Sequence, residues 1–294
     1  MEKRVLRVLM VAIIPLLFLA GAGNVEPSLA WGPNTHVVIT KQALNLAGNS
    51  SLIVQQIQAH PDAFWCGLLF PDISVLYYYT KFESYQATHN WLFYRRLLEE
   101  ASTVEERVFA YGVAVHLIQD SVAHNIYVPM KIRQTLGSNF YTHPLIEAAV
   151  ENRYFDVTTS GALEQVDRFL PLANKVLGRD VADMAYTFRQ IIRAGAFYSE
   201  AYKPPDVPFW DLYGQAAGFI AGLYGVEDHG DYLKTAIELT VRFLQRGETP
   251  VLDPTGVEEL TRATNTSNTY RFLFTVTVAI IVLAIFKWRK RLKR

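Results

Sequence analysis

Apolar residues recur with helical period along most of the chain from residue 31 to residue 250, and strand-like alternation is scarce. The pattern predicts helices over Thr35–Gly48, Ser51–His60, Asn90–Ala101, Val104–Val128, Pro144–Asn152, Leu163–Leu177, Ala182–Phe197 and Asp231–Gln245. The longest has Thr103 in front of it and Glu105 and Glu106 in its first turn, an arrangement suited to capping. Around residues 113–123 its neighbours are apolar on every side, which predicts a helix buried nearly all round. The stretch Gly67 to His89 reads as a loop rich in aromatic residues, among them Tyr77, Tyr78, Tyr79, Phe82 and Tyr85. Ala201 to Tyr213 holds three prolines and Trp210 and reads as a structured loop. No internal repeat is visible. The expected fold is a single all-α, multi-helix domain over residues 31–250.

An apolar run lies at each end of this body. Lys3, Arg4 and Arg7 precede the apolar stretch Val8–Ala20, and Ser28-Leu29-Ala30 supplies small residues for cleavage, so residues 1–30 read as a secretory signal peptide. An uncleaved anchor, or cleavage nearer Ala20-Gly21-Ala22, is the alternative. At the other end, residues 251–270 read as a polar stalk. They lead to an apolar run, Phe272 to Phe286, flanked by Tyr270 and Trp288. This pattern predicts a transmembrane helix over 271–288 and a basic cytoplasmic tail over 289–294. The expected location is exported and membrane-anchored, with the body outside the cytoplasm.

Charge sharpens the picture. The formal net charge of the 294 residues is zero, yet residues 31–270 hold 18 basic and 26 acidic side chains, a net of −8. A body this acidic is a poor electrostatic match for nucleic acid but suits bound divalent cations. Cys66 is the only cysteine, so no intramolecular disulfide forms. An exported domain without one depends on a large core, tight metal binding, or both.

Candidate ligands are plentiful. His116, Asp120 and His124 fall one turn apart on the longest predicted helix, within about 80° of one face. A buried, ionised Asp120 needs a positive partner. Each step of four residues rises about 6 Å, so one ion joining His116 to Asp120 does not also reach His124. The helix therefore implies at least two metal sites, against the alternative of a polar network in a helical core. His143 and Glu147 again stand one turn apart, and Asp72 and His89 lie in or beside loops. His60 with Asp62 is a weaker rival for that last pair. If cleavage makes Trp31 the first residue, its free amine and its carbonyl form a chelate that His36 completes.

These residues resemble the zinc-dependent phospholipase C family, whose relatives include the single-strand-specific nucleases. The likeness rests on Trp31-Gly-Pro-Asn-Thr-His36, Pro71-Asp72, His89, the His116/Asp120/His124 helix, and His143 with Glu147. The resemblance implies an all-α enzyme with up to three zinc ions. Asp72, His89, His116 and Asp120 would hold one ion. Asp120 would bridge to a second bound by Trp31 and His36, and His124, His143 and Glu147 would hold the third. Four residues carry Asp120 to His124, where the secreted bacterial phospholipases and the nucleases place six. That compact form looks more like the glycosylphosphatidylinositol-cleaving branch. The Trp31-to-His36 spacing looks more like the nucleases. Asn34 and Ile73 occupy the places nearest the choline-pocket residues of some phospholipases.

The expected activity is zinc-dependent phosphodiester hydrolysis of phospholipase C type on a phospholipid head group, with Asp72 as general base. A single-strand nuclease or nucleotidase with the same trinuclear site is the first alternative. A non-catalytic, membrane-tethered metal-binding protein is the second. No protein partner is legible.

Overall fold

The computed structural model describes residues 31–74, 86–135, 142–151, 153–154, 157–195, 222 and 229–291, with side chains as far as residue 278. The expected signal segment, the aromatic loop over 77–85 and the loop over 201–213 lie outside the described residues. All regular structure among the described residues is helical, as the periodicity predicts.

Helix α1 spans Pro33–Ala47, α2 Leu52–Ala59 and α3 Pro61–Leu69, followed by a 3-10 turn over Pro71–Ser74. Helix α3 was not expected. Its residues 63–69 are apolar almost without a break and buried except for Trp65, so no amphipathic period marks them. Pro61 opens it at the first-turn position, where a missing N–H costs nothing. Helix α4 covers Trp91–Glu100.

Helix α5, Val104–Val122, is the axis of the domain. Thr103 closes a capping box with Glu106, its hydroxyl accepting from the Glu106 N–H at 3.1 Å while the Glu106 carboxylate accepts from the Thr103 N–H at 3.0 Å. From Val108 onward nearly every side chain is buried. Helix α3 crosses α5 with two glycines at the contact. A Cβ on Gly67 would stand 1.9 Å from the Phe109 carbonyl oxygen, and one on Gly112 would stand 2.2 Å from that of Phe64. Only bare backbone permits this approach.

The expected helix Val104–Val128 is not uniform. A π-helical turn, Ala123–Tyr127, interrupts it before α6, Val128–Gln134. Pro129 supplies a physical reason. Its ring has no N–H to give the Asn125 carbonyl and would crowd that group, and a widened turn relieves the conflict. Helix α7 spans Thr142–Glu151, so His143 lies inside it rather than ahead of it. Past the short α8, Val157–Gly161, the expected helix Leu163–Leu177 is split into a 3-10 turn, Val166–Arg168, and α9, Leu170–Leu177. Helices α10, Ala182–Gly195, and α11, Gly230–Arg246, close around the core.

The segment expected as a stalk is helical from Val257 and belongs to α12, Val257–Arg291. Its Leu260, Ala263 and Ser267 are buried against the body. Farther on, Phe272, Leu273, Phe274 and Val276 are exposed. Among the described residues no helix is long and apolar enough to cross a membrane, so the span expected over 271–288 rests on sequence alone. The first turns of α12 are too polar to extend it, and from residue 279 the side chains of the run lie outside the described ones.

Two apolar clusters fill the described interior. One gathers α3, α4, α9 and the first part of α5, including Phe64, Phe70, Phe109 and Ile118. The other gathers Trp31, Ile39, Val122, Tyr127, Ile146, Val150, Leu260 and Ala263. The polar residues of α5 lie where one cluster gives way to the other.

Candidate metal centre

Helix α5 carries His116 and Asp120, and its π turn carries His124; all three are fully buried. Around the first two, α1 brings His36, the 3-10 turn brings Asp72, and the loop before α4 brings His89. The Nε2 of His36 is 3.3 Å from Asp120 Oδ1, and the Nε2 of His116 is 3.0 Å from Asp120 Oδ2. The two oxygens of one carboxylate thus face different imidazoles. The Nε2 of His89 lies 3.3 Å from that of His116 and 3.4 Å from Asp72 Oδ1. Across the centre, His124 Nε2 is 3.8 Å from Glu147 Oε1, and His143 Nε2 lies against the same oxygen.

Eight of the nine expected ligands therefore fall into three groups whose ligand atoms lie within 4.8 Å of one another: His36, His116 and Asp120; Asp72, His89 and His116; and His124, His143 and Glu147. His124 groups apart from His116, as helical rise requires. Trp31 is fully buried on the His36 side, with its ring 6.5 Å from that of Tyr127. Asp62 is exposed, and neither it nor His60 joins a group.

The orientation of the rings is set from behind. His36 Nδ1 donates to Gln119 Oε1 at 2.7 Å, and Gln119 is itself fixed because its Nε2 donates to Thr40 at 2.8 Å. His116 Nδ1 donates to the Leu68 carbonyl at 2.8 Å, within reach because Gly67 and Gly112 bring α3 onto α5. The Thr88 hydroxyl lies 2.9 Å from the Pro71 carbonyl and 3.1 Å from His89 Nδ1 and so seats that ring. His124 Nδ1 donates to the Pro254 carbonyl at 2.6 Å. When neutral, the rings of His36, His116 and His124 therefore carry their proton on Nδ1 and turn Nε2 inward, which is the tautomer of a metal ligand.

Inward-facing atoms lack hydrogen bonds. His36 Nε2, both oxygens of Asp120, His124 Nε2 and Glu147 Oε2 are buried without a hydrogen-bond partner. Such a set is costly in a protein interior unless a cation satisfies it. Tetrahedral zinc with bonds of about 2.0–2.1 Å sets neighbouring ligand atoms roughly 3.3–3.4 Å apart. Apart from the closer His143–Glu147 contact, the separations given above, 3.0–3.8 Å, bracket that value. The donor set of imidazole and carboxylate suits zinc equally well.

Charge agrees with geometry. Burial alone would raise the Asp120 carboxyl, but His116, with help from His36 and His124, holds it well below the ordinary aspartate range. Burial pulls the His36 imidazole down, and Asp120 outweighs it, so the net shift is upward. His116 is shifted down, chiefly by burial, with the charge of His36 adding to it. Burial, then the charges of Asp120, Asp72 and Glu151, push the Glu147 carboxyl well above its usual range. A bound cation relieves that crowding.

Gln119, Thr40, Thr88 and the Leu68 and Pro254 carbonyls had no signal in the sequence as parts of the site. Glu151 also went unseen, although it stands one turn beyond Glu147 on α7. Its carboxylate accepts from the Asn34 and Thr35 N–H groups at 2.7 and 2.9 Å and from the Thr35 hydroxyl, capping α1 from a distance. The beginning of α1, and with it His36, is thereby pinned to the helix that carries His143 and Glu147.

A family model described as zinc dependent phospholipase C matches residues 35–202. No curated protein and no solved structure matches the chain. The matched region is more than half of the sequence and contains every histidine and carboxylate of the three ligand groups, so the chain belongs to the zinc-dependent phospholipase C family.

Proposed function

We propose that this protein is an exported zinc phosphodiesterase of phospholipase C type that hydrolyses a phospholipid head-group phosphate ester at a membrane surface. One observation carries the reading: five imidazoles and three carboxylates gather into three groups, with several of their inward atoms buried and lacking any hydrogen-bond partner. In the proposed assignment, one ion is held by Asp72, His89, His116 and Asp120. A second is held by Asp120, His36 and, once the signal peptide has been cut away, the amine and carbonyl of Trp31. The third is held by His124, His143 and Glu147.

Zinc bound in this way supplies Lewis acidity for a phosphoryl oxygen and makes a water molecule acidic enough to attack near neutral pH. The chain's own residues do the rest. Gln119 and the Leu68 carbonyl hold the neutral His36 and His116 rings in the tautomer that turns Nε2 toward the centre, and Thr88 seats His89. Asp72 is the general base: at 5% it is the more exposed carboxylate of its half of the centre, since Asp120 is closed off entirely. Its seat in a 3-10 turn lets it orient the incoming water and take its proton. The run over 272–286 would hold the body beside its lipid substrate.

The test is to purify the body with a cleaved N-terminus, measure zinc per chain, and assay phosphatidylcholine, phosphatidylinositol and single-stranded DNA in parallel. About two or more zinc ions per chain with phospholipid turnover is the expected result. Zinc well below that level overturns the reading. Hydrolysis of DNA with no lipid turnover assigns the site to the nuclease alternative, which the Trp31-to-His36 spacing favours. Full zinc with no turnover of any substrate favours a metal-binding role.

A further inference from the structure

His124 is oriented by a part of the chain that the family match does not reach. The Pro254 carbonyl that accepts from its Nδ1 lies 130 residues away in sequence. Around that bond the chain is unusually tight. Gly256 has a φ of +56°, and a Cβ there would stand 2.4 Å from the His124 Cβ and 2.5 Å from its carbonyl oxygen. No side chain fits that gap, and the left-handed backbone independently favours glycine. Asn125, next to His124, ties the same two segments. Its Nδ2 donates to the Ser121 carbonyl at 2.8 Å and to the Asp253 carbonyl at 2.7 Å. Asp253 in turn braces the turn, its carboxylate accepting from the Thr255 N–H at 3.2 Å and from the Thr255 hydroxyl.

The turn over 253–256 is held in place by the helix that it opens. Helix α12 starts at Val257, buries Leu260 and Ala263 in the second apolar cluster, and pairs Glu259 with Arg133 of α6 at 3.2 Å. The imidazole is therefore aimed at Glu147 and His143 from outside, by a backbone carbonyl whose position depends on α12.

We propose that the turn over 253–256 is a clamp on the metal centre, with Asn125 and Gly256 as positioning residues for His124, so that the His124, His143 and Glu147 site binds its ion tightly only while α12 is docked. The proposal rests on the zinc hydrolase reading and deepens it: the helix that leads toward the expected membrane span is also part of the catalytic centre.

The test uses the full chain carrying Gly256→Ala, Asn125→Ala or, as a control on the same helix, Glu258→Ala. Glu258 is exposed and, among the described residues, pairs with Arg262 of its own helix. Zinc content is measured by elemental analysis, site affinity by chelator competition, and ligand geometry by the absorption spectrum after cobalt substitution. Gly256→Ala and Asn125→Ala are expected to weaken one ion by about 10- to 100-fold, the usual effect of losing a group that orients a ligand. The remaining zinc and the Glu258→Ala protein should be unchanged. If Gly256→Ala does not fold, Asn125→Ala decides. Unchanged affinity in folded variants of a wild type that binds zinc overturns the clamp alone. Equal losses in Asn125→Ala and Glu258→Ala overturn it as well, since they point to general destabilisation. A wild-type chain that binds no zinc overturns the hydrolase reading and the clamp together.

Discussion

The two halves of the metal centre are built by different means. The half around Asp120 stands on the α3–α5 crossing, where Gly67 and Gly112 bring backbone against backbone and the Leu68 carbonyl onto His116. Its supports are local to the core, and Gln119 is the neighbour of the carboxylate that it helps to organise. The half around Glu147 stands on a π turn, on α7, and on a carbonyl from the far end of the chain. One half is fixed by close packing, which deforms little. The other is fixed by two long-range hydrogen bonds, from His124 and Asn125 to the turn over 253–256, and by one close approach, which a moving helix can release. Within one site, rigidity and adjustability have been given to different ligand groups.

Asp120→Asn should break the comparison hardest. Each Asp120 oxygen faces a different imidazole, so an amide removes the negative charge and replaces one of the two ligand oxygens by an N–H₂ that cannot bind a cation. The expected loss in kcat/KM is about 10³-fold or more, comparable to removing a group that stabilises the transition state directly. Elemental analysis should show zinc lost from the Asp120 half while the His124, His143 and Glu147 half keeps its ion. Uniform loss of all zinc would mean that the halves are not separate units.

Gly112→Ala tests the rigid half without touching a ligand. The added methyl meets the Phe64 carbonyl and the Leu68 N–H, neither of which can turn aside. Overpacking of this kind should cost about 3 kcal/mol. Thermal unfolding should register it as a fall of roughly 10 °C in Tm. Because α3 must back away, the Leu68 carbonyl should also leave His116, and cobalt spectra should change for the Asp120 half only.

Sequence patterning made the helical class legible, along with the burial of α5 and the separation of His116 from His124, because each comes from helical period and rise. Helix α3 was hidden by its own composition: a segment buried on all sides has no period to read. The π turn was hidden because Pro129 marks a disturbance without saying whether the chain will kink, stop or widen. In the site, side chains with ligand chemistry announced themselves. The atoms that orient them did not. The Leu68 and Pro254 carbonyls belong to residues with no chemical signature, and the second lies 130 residues from its histidine. A polar run before an apolar one reads as a stalk whether or not its first turns bury Leu260 and Ala263.

Acidity offers the finest test of how the halves differ. In the metal-free chain, Glu147 is pushed upward by burial and then by the charges of Asp120, Asp72 and Glu151, so its carboxyl holds a proton well above the ordinary glutamate range. Zinc must displace that proton, and affinity at the Glu147 half should fall by up to about tenfold per pH unit below the raised value. The Asp120 half also has a proton to displace, from His36, whose pKa is raised by Asp120 against the pull of burial. Asp120 itself stays charged throughout, being held well below its ordinary value. The two raised groups have the same sign in stability: each favours the metal-free fold below its unfolded pKa, and that contribution disappears as pH rises through the folded value. They differ in what the neighbouring ion does. A cation between Asp72 and Asp120 cancels two of the charges that raise Glu147, so filling the first half lowers the Glu147 pKa and strengthens the second. Stepwise zinc titration at neutral and mildly acid pH should therefore show ordered loading, with the later ion tighter than it is in a chain whose Asp120 half cannot fill. Two halves that load independently, with parallel pH dependence, would show that the charges of Asp72 and Asp120 do not reach Glu147 with useful strength.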